Sequence, residues 1–239
     1  VAVHRSTDTP IADGPTASDV TVRRDLVVLV HRVPGPDDPV TTWTDAPPFV
    51  DLGELGTGPV LDLPHPSARA RARFGRRPGV PVDALVWLAP GQPIPGSLAD
   101  TYDEAFRMTV STHVGWRPGD WATADPADVV KQVSLLAAGD GYGPDRFSAH
   151  YRHHVDLARR HMPALWQYAQ NDVISSTATT DAGRAIVAVS ELWFKTTDDF
   201  CHRYFPSQAD QDEFSSHEGF LDLTKAVSFV GASHRLATA

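Results

Sequence analysis

The chain is predicted to adopt an α+β fold, built as two β-α-β-β-α-β repeats that close into one barrel, the first repeat being degenerate. Three observations predict this. Strand-like and helix-like segments follow one another in that order over residues 129–235. A partial echo (strand, irregular link, strand, helix, strand) occupies residues 26–116. Between two strand-like runs lies a single long segment with helical apolar periodicity. The order β-α-β-β-α-β is the split βαβ, or ferredoxin-like, arrangement. Two such sheets set face to face within one polypeptide make an α+β barrel, and a pocket between the sheets is then the expected ligand site. The expected organisation is a flexible tail over 1–19, a degenerate N-terminal half over 20–125 and a C-terminal half over 126–239.

The elements are justified in order. Leu26 to Val30 is a short β-branched run suited to a buried strand. Val33 to Pro66 is rich in Pro, Gly and Asp and reads as a long irregular connection, followed by a short helix over Arg69–Arg73. Val82 to Leu88 is a second strand, stopped by Pro90 and Gly91. From Ser97 to Phe106 a helix is expected, N-capped by Ser97 and carrying Leu98, Tyr102, Ala105 and Phe106 on one face. Arg107 to Trp116 alternates as a strand. In the second half, Val129 to Leu136 is a strand broken by Gly139-Asp140-Gly141, and Pro144 opens a helix that Pro163 ends. Its apolar stripe is Phe147, Tyr151, Val155, Ala158 and Met162. Trp166–Val173 and Ala185–Phe194 are strands around a Ser/Thr loop at 175–180. Thr196 to Asp198 caps a helix carrying Phe200 and Tyr204, and Ala226 to Arg235 is the last strand.

Composition narrows the function. The 239 residues are 41% apolar, enough for a packed core, and carry 30 acidic against 21 basic residues, a formal charge of −9. That balance argues against a nucleic-acid partner. Arg69, Arg71, Arg73, Arg76 and Arg77 form a local basic stretch, read first as a solvated face and second as an anion contact. A single cysteine, Cys201, rules out an intrachain disulfide and suits a reducing cytoplasm. No run is apolar enough for a membrane span, and residues 1–19 lack the apolar stretch of a signal peptide. The glycines of 53–58 are followed by Pro59 instead of a helix, which argues against a dinucleotide loop.

Asp145-Arg146-Phe147 through Tyr151 to His154, followed by Leu165-Trp166-Gln167-Tyr168-Ala169-Gln170-Asn171, resembles the EthD-type ferredoxin-like domain. Glu191 to Phe194 and Phe220 to Asp222 resemble later motifs of the same family. The layout of the whole chain is similar to that of actinomycete oxygenases that open the B ring of angucyclines in aromatic polyketide biosynthesis. The resemblance implies oxidative ring cleavage of an angucycline-type quinone or phenol by O2. It also implies reduced flavin, FADH2 or FMNH2, as a diffusible or loosely bound cosubstrate, with a flavin reductase as a possible partner and a homodimer as a possible assembly. On the same fold, a non-redox polyketide cyclase or isomerase, a cofactor-independent anthrone-type monooxygenase and a ligand-shielding binding protein are the alternatives.

His150, His153, His154 and His161 all fall on the long helix. Two histidines at i and i+4 can share a metal ion, but with no HExxH pattern and no acidic residue on that face, no metal is expected. His154 lies at the edge of the apolar stripe, so its ring is expected to meet the sheet and to remove a phenol proton, with His150 one turn earlier assisting. Asn171 is the candidate to hold a quinone oxygen or developing enolate, with Gln170 as its alternate on the opposite strand face. Tyr151, Trp166, Tyr168 and Trp193 are the candidate walls for a flat substrate, each read equally as ordinary core. His217, beside Glu218, is the last candidate contact, with a solvated cap as the plainer reading.

Overall fold

The computed structural model describes residues 21–31, 59–72, 80, 82–117 and 128–235. Among the described residues there are eight strands: β1 Val22–His31, β2 Val60–Pro64, β3 Ala84–Leu88, β4 Tyr102–Trp116, β5 Val130–Ala137, β6 Leu165–Ser176, β7 Ile186–Phe194 and β8 Val227–Arg235. They form one closed barrel in the order β1-β3-β2-β8-β5-β7-β6-β4. Every neighbouring pair is antiparallel. Read by halves, that ring is β4-β1-β3-β2 joined to β8-β5-β7-β6. Each half therefore has the ferredoxin-like order in which a repeat's fourth strand lies beside its first. The seams β2–β8 and β4–β6 join the halves, so closure leaves no unpaired sheet edge. The fold is two ferredoxin-like repeats in one α+β barrel.

The structure corrects the N-terminal half in two places. The second strand, absent from the sequence reading, is Val60–Pro64 inside the segment taken as irregular. The expected helix over Ser97–Phe106 is confined to α2, Gly96–Ala99, and β4 already begins at Tyr102. The reason is a bulge. Val28 pairs with Phe106 and Leu29 with Glu104, which leaves Ala105 as the extra residue. The bulge turns Tyr102 and Phe106 to opposite faces of the strand, each buried in a different cluster, so two buried residues four apart in sequence imitate one face of a helix. The short helix α1, Ala68–Ala72, lies where the sequence placed it. Residues 1–19, the glycines at 53–58, and Arg73, Arg76 and Arg77 lie outside the described residues.

In the C-terminal half, α3 spans Pro144–His161, with Pro144 in its first turn, Asp145 at its positive end and Arg159, Arg160 and His161 in its last turn. The short α4 is Asp181–Arg184. The helix α5, Thr197–His202, is capped by Thr196, whose hydroxyl oxygen accepts from the Asp199 N–H at 3.0 Å. Beyond it is a helix the sequence reading lacked, α6 Gln208–Ser216, capped by Ser207 accepting from the Asp210 N–H at 3.1 Å. A 3-10 turn, Glu218–Phe220, leads to β8. Among the described residues no helix is long and apolar enough to cross a membrane.

Where a slot between the two sheets was expected, the described residues pack against one another. Leu26, Val28, Met108, Val110, Val133, Leu135, Val189 and Phe229 form one buried cluster across both halves. Beside it is a buried polar network. The Arg24 guanidinium pairs with the Glu191 carboxylate, and Lys131 Nζ lies 2.7 Å from Asp62 Oδ2 and 2.9 Å from Glu191 Oε2. Arg24 stacks over the Trp87 ring at 4.1 Å, and Lys131 over Trp193 at 4.9 Å. Burial alone would raise the Glu191 carboxyl's pKa, but the charges of Arg24 and Lys131 outweigh it and hold it below its ordinary value. Arg24, Asp62 and Trp87 come from the first half; Lys131, Glu191 and Trp193 come from the second. Among the described residues the barrel interior is packed and ion-paired, and it holds the halves together.

One glycine marks how closely the halves meet. A Cβ on Gly231 of β8 would stand 2.6 Å from the Leu63 carbonyl oxygen of β2 and 2.6 Å from the Phe229 ring. The carbonyl belongs to the seam backbone and cannot step aside. Gly231→Ala is expected to destabilise the chain by about 2–3 kcal/mol, the upper range for overpacking. Equilibrium urea unfolding checks this; a midpoint equal to that of the parent chain would show the seam to be looser than described.

Candidate functional site

The cavity lies on the other side of the wall, between the C-terminal sheet and its helices. Along β5 the even positions Gln132, Ser134 and Leu136 face the helices, while Lys131, Val133 and Leu135 face the barrel interior. On β7, Ser190 and Leu192 face the helices, and Val189, Glu191 and Trp193 face inward. This is the period-2 alternation of a strand buried on both faces. Over the sheet lie Tyr151, His154 and Met162 from α3 and its end, Tyr204 and Phe214 from the α5–α6 segment, and Glu218, Phe220 and Leu221 from the 3-10 turn. The cavity volume is about 80 Å³.

His154 is the chemical centre of this cavity. It is 5% exposed, and its ring stands edge-on to Phe220 at 4.7 Å and to Phe214 at 5.3 Å. Its Nε2 lies 3.1 Å from the His217 carbonyl oxygen. A carbonyl can only accept, so Nε2 carries the proton and Nδ1 keeps a free lone pair. Burial lowers the His154 pKa to about 4; the hydrogen bond to His217 opposes the shift and the neighbouring His217, His150 and His153 rings add to it. At neutral pH His154 is thus an uncharged imidazole of fixed tautomer. Glu218 is the second titratable group of the lining, and burial raises its carboxyl above the ordinary range.

Around these, the sheet face is polar. The Tyr151 and Ser190 hydroxyls are 2.8 Å apart, and Gln170 Nε2 donates to the Tyr168 hydroxyl at 3.2 Å. Burial raises the pKa of both tyrosines, so both are protonated at neutral pH. The Tyr204 hydroxyl donates to Gln132 Oε1 at 3.0 Å, and Gln132 Nε2 donates to Ser134 Oγ at 2.9 Å.

Of the residues selected from sequence, the cavity brings together His154, Tyr151 and Tyr168. The others are elsewhere. His150 is exposed and packs its ring against the far side of Phe220 at 5.6 Å. His217 is exposed and reaches the site through its carbonyl only. Asn171 lies in the barrel interior: its Oδ1 accepts from Arg24 and Thr112, each at 2.7 Å, and its Nδ2 donates to the Val189 carbonyl and to Glu191. With those bonds made, it has nothing left for a quinone oxygen. Trp193 is also interior, and Trp166 packs with it at the barrel's end beside Val114, Val129 and Ala169. Ser134, Ser190, Gln132 and Tyr204 were missed: the two serines meet only through cross-strand register, and Tyr204 reaches Gln132 from the segment between α5 and α6. His161 pairs with Asp210 at 3.1 Å, tying α6 to α3. No grouping of three or more metal-ligating side chains occurs among the described residues.

Fold and cavity together define a single-chain α+β barrel with one small, aromatic-roofed, hydroxyl-floored site beneath the helices of its C-terminal half. No family model matches the chain, and no curated protein matches it in sequence. Two solved structures are similar in shape. One is a provisionally assigned monooxygenase from Lactobacillus acidophilus NCFM, 8% identical, covering 91% of this chain and 96% of that one with a TM-score of 0.44. The other is an anthrone oxidase-like protein, 9% identical, covering 93% and 97% with a TM-score of 0.46. The likeness is one of overall shape, and nothing about chemistry follows from it.

Proposed function

We propose that the chain is an oxygenase acting on a hydroxylated polycyclic aromatic, with His154 as the base that takes the phenolic proton. The observation that carries this is the uncharged His154, its Nε2–H held by the His217 carbonyl so that Nδ1 bears the lone pair, set among aromatic edges and hydroxyls in a half-open cavity. Phe214, Phe220 and Tyr204 supply edges and faces for an aromatic ring. Phenol deprotonation yields an imidazolium–phenolate pair, and a phenolate gives up electrons to O2 far more readily than a phenol. The ring then loses one C–H and the O–H while one O2 is consumed. One oxygen atom becomes the new carbonyl of a quinone, and the other leaves as water with both hydrogens.

The resemblance of the Phe147–His154 and Leu165–Asn171 segments to EthD-type domains supports an aromatic polyketide as the substrate. It also supports the finer reading, cleavage of a ring C–C bond in an angucycline-type quinone with reduced flavin. At about 80 Å³ the cavity has no room for an isoalloxazine beside a substrate, and no step here passes through one. The same volume admits one ring of a fused system, against the roughly 300–1,000 Å³ usual for whole ligands. The remainder enters by displacing α6, a helix that buries none of its own residues.

The test is oxygen uptake by the purified chain with anthrone and with an angucyclinone, each with and without a flavin reductase and reduced flavin. One O2 consumed per quinone formed, without flavin, supports the reading. Uptake only with reduced flavin moves it to the flavin-dependent form. Turnover that continues anaerobically moves it to a cyclase or isomerase. Binding without turnover leaves a ligand-shielding protein.

A further inference from the structure

A row of three serines crosses the floor of the cavity. Ser134 of β5 is in direct register with Ser190 of β7 on one side and with Ser228 of β8 on the other. All three stand on the helix-facing side of the sheet, where packing alone would favour apolar side chains. Ser134 and Ser190 are each 6% exposed. Ser134 and Ser228 are 3.1 Å apart at their hydroxyl oxygens, and Ser190 is 2.8 Å from the Tyr151 hydroxyl.

Hydrogens can be counted along this row. Tyr151, Ser190 and Tyr168 have three hydroxyl hydrogens and two hydrogen bonds among them, both at Ser190, and the Ser134–Ser228 pair has two hydrogens and one bond. Each group therefore has one hydrogen unspent within it. Gln132 and Tyr204 hold Ser134 from the side and do not consume its hydrogen, since Gln132 donates to it. With both tyrosines donating to Ser190, and Ser228 to Ser134, two hydroxyl donors sit side by side at the strand spacing of about 4.8 Å. Oxygens in a 1,3 relation on a six-membered aromatic ring are separated by nearly the same distance; 1,2-related oxygens are much closer, and 1,4-related oxygens point in opposite directions.

We infer that Ser134 and Ser190 form the specificity subsite of the cavity, recognising two 1,3-related oxygens on the edge of an aromatic ring. This rests on the reading of the cavity as an aromatic-substrate site and names the substrate it selects. The ring stands edge-on to the sheet, with its oxygens over the two serines and its faces between Phe220 and Tyr204. Tyr151 is a positioning residue that fixes the Ser190 rotamer.

The test is a calorimetric titration of the intact chain with 1,3-dihydroxynaphthalene and with 1,5-dihydroxynaphthalene, which is equally polar but has its oxygens on different rings. The expected result is about 3- to 10-fold tighter binding of the 1,3 isomer, the worth of one added neutral hydrogen bond. Ser190→Ala and Ser134→Ala should each abolish that preference, bringing the two isomers to the same affinity. Equal binding of both isomers by the parent chain overturns the serine subsite and leaves the aromatic-site reading standing. Failure of both isomers to bind overturns both readings. The isomer comparison needs no variant, so a serine variant that folds poorly does not blunt it.

Discussion

Replacing Glu191 with leucine is expected to cost about 3–5 kcal/mol of folding stability, the usual consequence of removing one partner from a buried ion pair. Inside the barrel, Arg24 and Lys131 are balanced by Asp62 and Glu191, and all four are at most 6% exposed. Removing Glu191 takes away the carboxylate that Arg24 contacts directly and that Lys131 shares with Asp62. One positive charge is then left in a medium that solvates it poorly. The double change Arg24→Met with Glu191→Leu restores neutrality and should recover much of the loss. Urea unfolding followed by near-ultraviolet circular dichroism of the tryptophans reads both variants. A loss under about 1 kcal/mol for Glu191→Leu would mean that apolar packing alone joins the halves.

The second large effect concerns His154. His154→Gln keeps an N–H for the His217 carbonyl but has no basic lone pair, and the rate of oxygen uptake should fall roughly 10²- to 10⁴-fold. In the parent chain, kcat/KM should fall on acidification with a midpoint near the His154 value of about 4, because a protonated imidazole accepts nothing. Stability should follow pH over a different range. Between the ordinary histidine value of 6.5 and about 4, the unfolded chain binds a proton that folded His154 refuses. Stability is therefore lost as pH drops through that window, by about 3 kcal/mol from this residue. His65 and His234, whose values burial also lowers, act in the same direction. The Gln variant should show a shallower stability slope between those pH values, measured by urea titration at each pH. An unchanged slope together with an unchanged rate would remove His154 from both roles.

Much of the C-terminal half was legible because its signals are local. The stripe of α3, the proline before it and the Thr196 cap each need only a few neighbouring residues. The N-terminal half fails where tertiary geometry takes over: β2 is five residues long inside a Pro-, Gly- and Asp-rich segment, and the Ala105 bulge disguises a strand as a helix. The capping serine of α6 was a signal available in Ser207 to Asp210, yet the helix has almost no apolar stripe to accompany it. For the site, alternation along β6 correctly separates Tyr168 and Gln170 from Ala169 and Asn171. Alternation does not say which face carries the cavity. Asn171 and Trp193 were assigned to a pocket that lies behind them, and the serine row appears only when three strands are laid side by side.

Joining both repeats in one polypeptide has a consequence for stoichiometry. Two identical chains pairing into such a barrel would be bound by symmetry to carry two equal sites. Here the repeats are free to diverge, and among the described residues only the second has a long helix lying over its sheet, with a buried histidine on its inner face. Saturation should come at one aromatic molecule per polypeptide, with a hyperbolic isotherm and no interaction between equivalent sites.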